Sequence, residues 1–186
     1  MPLTEATYER VALEDREGGW ELYSGRLRSR SSGTSGHNEA VIDLGYAIMR
    51  QIDHSAVDVR VNTGRLRWRE DPYHVSYLVP DVFVFPHTFS ARWEDDPYAL
   101  EVYNDPVPFV ADVWEAPETG YDVEHKMGIY RQRGDAEIWL THPFERWVSV
   151  WHRRADGSYE HARHTGGIVP LHALRGVQID LDLLLE

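Results

Sequence analysis

Apolar and polar positions along the chain predict a helix, a hairpin, a second helix, a run of strands, a third helix and a closing run of strands. Thr4 to about Asp15 carries Tyr8, Val11 and Ala12 on one side of a helix, with Thr4 as its cap and Gly18-Gly19 as its end. WELYSGRLRSR then reads as a hairpin or strand pair around Ser24-Gly25, and SSGTSG follows as a loop of small polar residues. The second helix is expected from His37, where Val41, Leu44, Ile48 and Ile52 recur at helical spacing. Val57 to Trp68 alternates as a strand pair or one bulged strand, broken at Asn62-Thr63-Gly64. Leu78 to Phe85 is nearly all apolar and predicts a short central strand. Pro86 to Pro108 is polar and aromatic and reads as a surface excursion with one helical turn.

Pro108 to His142 reads as strand, loop, helix, strand. The first strand, Phe109 to Trp114, holds an acid, Asp112, among apolar neighbours. After a turn at Pro117 to Gly120, the helix carries Asp122 and Lys126 four residues apart, on one face. Glu137 to Thr141 is the next strand. Trp147 to Trp151 and Tyr159 to His164 form a hairpin around Arg154 to Gly157. Ile168 to Leu171 and Val177 to Ile179 are short strands, and Asp180 to Leu185 is a last helical turn. The order predicts an α/β (α+β) fold in which helices pack on a mixed sheet.

Composition narrows the class. The 186 residues, 42% hydrophobic and 27% charged, suit one domain, 1–186, with a sizeable core. No apolar run approaches membrane-spanning length, and MPLTEATYER lacks the pattern of a secretion signal, so a cytoplasmic location is expected. There is no cysteine, hence no disulfide and no thiolate chemistry. A net charge of −12 disfavours binding a polyanion unless a local basic patch or metal ions invert the potential. Lys126 is the only lysine among 19 basic residues.

Two acids stand out because their surroundings are apolar. Asp81 in LVPDVFVF and Asp112 in FVADVW sit in core-type stretches, where a carboxylate is costly unless it is paired or holds a cation. Magnesium takes oxygen ligands, often one or two carboxylates, and a nearby lysine can orient the attacking water or stabilise developing charge. Blander readings stand beside this one. Asp122 and Lys126 also fit a surface ion pair, Asp81 a turn residue after Pro80, and His37 a helix-start residue. His161 and His164 fall on opposite faces of a strand and make no metal site. Trp139, Trp147 and Trp151 read as sheet packing.

These motifs in order resemble a known group: ELYSGRL, His37, Pro80-Asp81-Val82, Asp112-Val113, Asp122, Lys126, Tyr130, Glu137-Ile138-Trp139 and Gly176 to Asp180. The chain resembles the Uma-type restriction endonucleases, bacterial members of the PD-(D/E)xK nuclease superfamily. The resemblance implies a restriction-endonuclease-like fold, a central mixed sheet flanked by helices. It implies a Mg2+-dependent endonuclease, with Mn2+ as a substitute, DNA as substrate and a homodimer as the assembled form. It assigns Asp81 and Asp112 as metal ligands and catalytic acids, and Glu21 as an outer ligand or water holder. Lys126 becomes the catalytic lysine, with His37 and Asp122 in support. The chain departs from the group's usual pattern in three places. Asp112 stands where Glu is usual, and Trp114 stands where the superfamily motif has its lysine. Trp114-Glu115-Ala116-Pro117 replaces a serine-proline loop. These departures keep two alternatives in view: a weakened homologue serving as a binding module, and a metal-dependent hydrolase of another substrate.

Overall fold

The computed structural model describes residues 3–23, 25–30, 33–71, 74–90, 96, 98–114 and 123–186. Helix α1 (Glu5–Glu14) starts where the Thr4 hydroxyl accepts from the Thr7 amide. The hairpin follows as β1 (Trp20–Tyr23) and β2 (Arg26–Ser29), paired antiparallel. Helix α2 (Ser35–Met49) is capped by Thr34, whose hydroxyl accepts from the His37 amide, so His37 falls in its first turn. Val41, Leu44 and Ile48 are buried, as their spacing predicts, whereas Ile52 lies beyond the helix end and is partly buried.

The strands form two principal sheets. One contains β1, β2, β4 (Arg65–Arg69), β5 (Val75–Leu78) and β7 (Val102–Tyr103), in the order β2-β1-β5-β4-β7. The other contains β3 (Val57–Val61), β6 (Val82–Pro86), β8 (Phe109–Val113), β9 (Glu137–His142), β10 (Trp147–Arg153) and β11 (Tyr159–His164), in the order β11-β10-β9-β8-β6-β3. Helix α3 (Val123–Arg133) connects β8 to β9, which lie parallel, as a crossover connection requires. A small sheet of β12 (Ile168–Pro170) and β13 (Gln178–Asp180) precedes helix α4 (Leu181–Leu184).

Two expectations need correction. The alternating run from Val57 to Trp68 is two strands that do not pair with each other: β3 pairs with β6, and β4 with β5 and β7. Leu78 to Phe85 is likewise two strands, because Pro80 lacks an N–H and stops the ladder after Leu78. The chain changes sheets at both breaks. The excursion after Pro86 holds the expected turn, a 3-10 helix at His87–Phe89, and also strand β7, which its two-residue length hides.

Three apolar layers follow. Tyr8 and Ala12 of α1 cover Leu22, Val75 and Tyr77 on one sheet. Leu66, Leu78, Phe83, Phe85, Val110 and Ile138 meet between the sheets, joined by Met127, Ile129 and Tyr130 of α3. α2 and the C-terminal elements cover the other face through Val82, Val84, Ala111 and Trp139. Among the described residues, no helix is long and apolar enough to cross a membrane.

Candidate active site

The site forms where the two sheet crossings meet. The Asn62 amide, in the 62–64 crossing, donates to the Asp81 carbonyl at 2.8 Å. Asn62 sits at φ 54, a left-handed conformation that Asn tolerates better than most residues. Asp81 thus occupies a bend just before β6 rather than a strand interior, and it is buried. Its Oδ2 accepts from the Val113 amide at 2.7 Å, and His37 Nε2 lies 3.4 Å from the same oxygen. Its Oδ1 is ion-paired with Arg30, whose other terminal nitrogen donates to Asn62 Oδ1 at 3.2 Å.

Asp112 lies next to the C-terminal end of β8, opposite Leu140 of β9, and is buried. Lys126 reaches it from α3. The ammonium donates to Asp112 Oδ1 at 2.8 Å and to the Val79 carbonyl at 3.1 Å, and lies 3.1 Å from Glu21 Oε1. The Val79 amide in turn donates to Glu21 Oε1 at 2.6 Å. One peptide segment between β5 and β6 therefore positions the lysine, Glu21 and Asp81. Asp112 Oδ2 is buried and has no hydrogen-bond partner among the described residues.

Burial opposes every charge here, and the partners decide the outcome. Burial alone would raise the Asp81 carboxyl, yet Arg30, His37 and Lys126 hold it well below the usual carboxylate range. Burial prevails at Asp112, whose carboxyl lies above its ordinary value although Lys126 opposes the shift. Burial would likewise lower Lys126, but Asp112 and Glu21 keep it above its ordinary value and protonated.

Glu21, His37, Asp81, Asp112 and Lys126, read from scattered motifs, thus converge. Asp122 lies outside the described residues. Lys126 is 4% exposed, which removes the surface-pair reading for this lysine. Nothing in the sequence points to Arg30 or Val79, and Asn62 reads there only as part of a strand break. Arg30 is one of 18 arginines, and Val79 acts only through its backbone, so neither carries a residue-type signal.

A sequence model described as "Uma2: Putative restriction endonuclease" matches residues 6–183. The chain belongs to the Uma2 family. No curated protein matches it. Among solved structures it resembles one described as "a putative nuclease belonging to DUF820" from Anabaena variabilis ATCC 29413. The TM-score is 0.72 at 14% identity, over 100% of this chain and 93% of that one. At that identity the likeness shows the shared fold.

A nuclease family suggests a divalent cation, and the site can be tested for one. Among the described residues, no three His, Asp or Glu side chains are arranged as a ready-made cage. Magnesium needs less, since one or two carboxylates with waters suffice. Asp112 Oδ2, buried without a hydrogen-bond partner, is the kind of oxygen a cation would satisfy, and Asp81 Oδ1 already faces a positive charge. Carboxylate oxygens of this kind are the donors that a hard divalent cation takes.

Proposed function

We propose that the chain is a Mg2+-dependent endonuclease, carried by a single restriction-endonuclease-like domain, that hydrolyses phosphodiester bonds of DNA. The convergence of Asp81, Asp112 and Lys126 at the sheet crossings is the observation that supports it. Mg2+, when bound, would supply Lewis-acid stabilisation of the phosphate and a more acidic attacking water. Asp81 and Asp112 would hold it. The Val113 amide fixes the orientation of Asp81, and Glu21 with the Val79 carbonyl aims the Lys126 ammonium. A protonated lysine cannot take a proton from water. Lys126 would therefore orient the nucleophile and stabilise the charge that builds on the phosphoryl oxygens.

Incubation of purified protein with supercoiled plasmid and single-stranded DNA tests this, with Mg2+ or Mn2+ present or chelated. The wild type is expected to cut only with metal, and D81N and K126M are expected to lose about 100-fold or more in rate. Equal cutting by D81N would mean a contaminating nuclease and would contradict the proposal.

A second reading, hydrolysis of a phosphodiester outside nucleic acid, is favoured by the net charge of −12 and by two arginines that are engaged internally. Arg65 donates to the Tyr8 hydroxyl at 3.2 Å, and Arg67 pairs with Glu5 at 2.7 Å. Metal-dependent cleavage of bis(p-nitrophenyl) phosphate without cleavage of DNA would select it.

A further inference from the structure

Arg30 occupies a place that the proposed chemistry gives to something else. Three acids, Glu21, Asp81 and Asp112, face two cations, Lys126 and Arg30, and all three act on the Arg30 charge. The two cations are held differently. The Lys126 side chain is 5% exposed and is bound by Asp112, Glu21 and the Val79 carbonyl. The Arg30 side chain is 19% exposed and reaches in from the end of the β1–β2 hairpin to Asp81 Oδ1 and Asn62 Oδ1.

Arg30 is therefore the less enclosed of the two cations. Its departure would free Asp81 Oδ1, while the Val113 amide keeps Oδ2 in place. A divalent ion arriving with Arg30 still in the site would leave an excess of positive charge. A phosphodiester monoanion would balance that excess, and the planar guanidinium fork matches two phosphoryl oxygens as well as it matches a carboxylate.

We propose that Arg30 is a substrate-binding residue that rests on Asp81: it yields that carboxylate to a divalent cation, and its guanidinium then binds the phosphodiester. This rests on the reading of the site as a metal-dependent phosphodiesterase.

The test measures two affinities in wild type, R30Q and D81N: Mn2+ by electron paramagnetic resonance, and a labelled oligonucleotide by fluorescence anisotropy with Ca2+. R30Q is expected to bind Mn2+ about tenfold or more tightly than wild type, because no resident cation must be displaced. It is expected to bind the oligonucleotide about tenfold more weakly. Mn2+ should also raise the melting temperature of R30Q more than that of wild type, which a purely structural arginine would not produce. R30M serves for the same comparison if R30Q does not fold. An Mn2+ affinity equal to or below that of wild type, or an unchanged oligonucleotide affinity, would overturn the role of Arg30. Undiminished Mn2+ binding by D81N would instead overturn the metal reading, and the inference with it. Both R30Q shifts without any DNA cleavage would leave Arg30 supported and remove only the nuclease activity.

Discussion

Lys126 joins two buried carboxylates, and its loss has consequences apart from any reaction. K126M leaves Asp112 and Glu21 facing each other without their shared ammonium. Removing one partner of a buried ionic set costs about 3–5 kcal/mol, so urea denaturation of K126M should show a loss of that size. An unchanged midpoint would mean that the lysine is not held as described. Asp135 gives a separate test away from the site. It is buried, accepts from the Val107 amide at 2.8 Å and pairs with Arg133 at 3.1 Å. Arg133 also donates to the carbonyls of Arg67, Tyr103 and Asp105, so its charge is shared. Burial consequently prevails and pushes the Asp135 carboxyl up to about 6. A native value above the unfolded one means that the folded state binds the proton more tightly. That stabilisation is complete below about pH 4 and is lost as pH rises to about 6. The gap is worth on the order of 3 kcal/mol. Stability of wild type relative to D135N should fall by about that amount between pH 4 and pH 7. A difference independent of pH would contradict the assignment.

At the scale of elements, the packing of α2 on β3 depends on Gly45. A Cβ at this position would meet Val61 Cγ2 at 2.7 Å. Ala in a helix gains about 1 kcal/mol over Gly, whereas overpacking costs about 1–3 kcal/mol. G45A should therefore be destabilised, and V61A in the same chain should relieve it, a coupling that a double-mutant cycle measures. Additive effects would mean that the helix sits farther from the strand.

Helices and hairpins were legible because their signals are local. Thr4 with Tyr8 and Ala12 carries cap and period within a few residues, and Val41, Leu44 and Ile48 carry the period of the second helix, although its cap, Thr34, lies within the stretch read as a loop. The sheet crossings were not legible. An alternating run reads the same whether its halves pair with each other or enter different sheets, and only Pro80 and Asn62-Thr63-Gly64 mark the breaks. Asp81 and Asp112 were legible as costly residues in apolar surroundings, whereas the roles of Glu21, His37 and Lys126 came from the family resemblance. Arg30 was not legible, because its meaning comes from a contact 51 residues away in the chain.

At the scale of the whole molecule, the layers explain why so sparse a site is well defined. Asp81 and Asp112 lie at the meeting of two sheets, with α2 and α3 each contributing one side chain, His37 and Lys126. Glu137 lies at the start of β9. It is fully buried, accepting from the Trp139 indole and from the Ala173 amide, both at 2.8 Å, and so ties the C-terminal segment to the central sheet. Under the proposed function, a net charge of −12 requires any contact with a polyanion to be local, at cations such as Arg30 and Lys126.

Under the proposed function, Asp81 and Asp112 together would hold a divalent cation beside Lys126. Crystals soaked in Mn2+, with anomalous scattering recorded at the manganese edge, test it most directly. One strong peak is expected within coordination distance of Asp81 Oδ1 and Asp112 Oδ2, lost in D112N crystals. A peak elsewhere, or none at these two oxygens at saturating Mn2+, would contradict it.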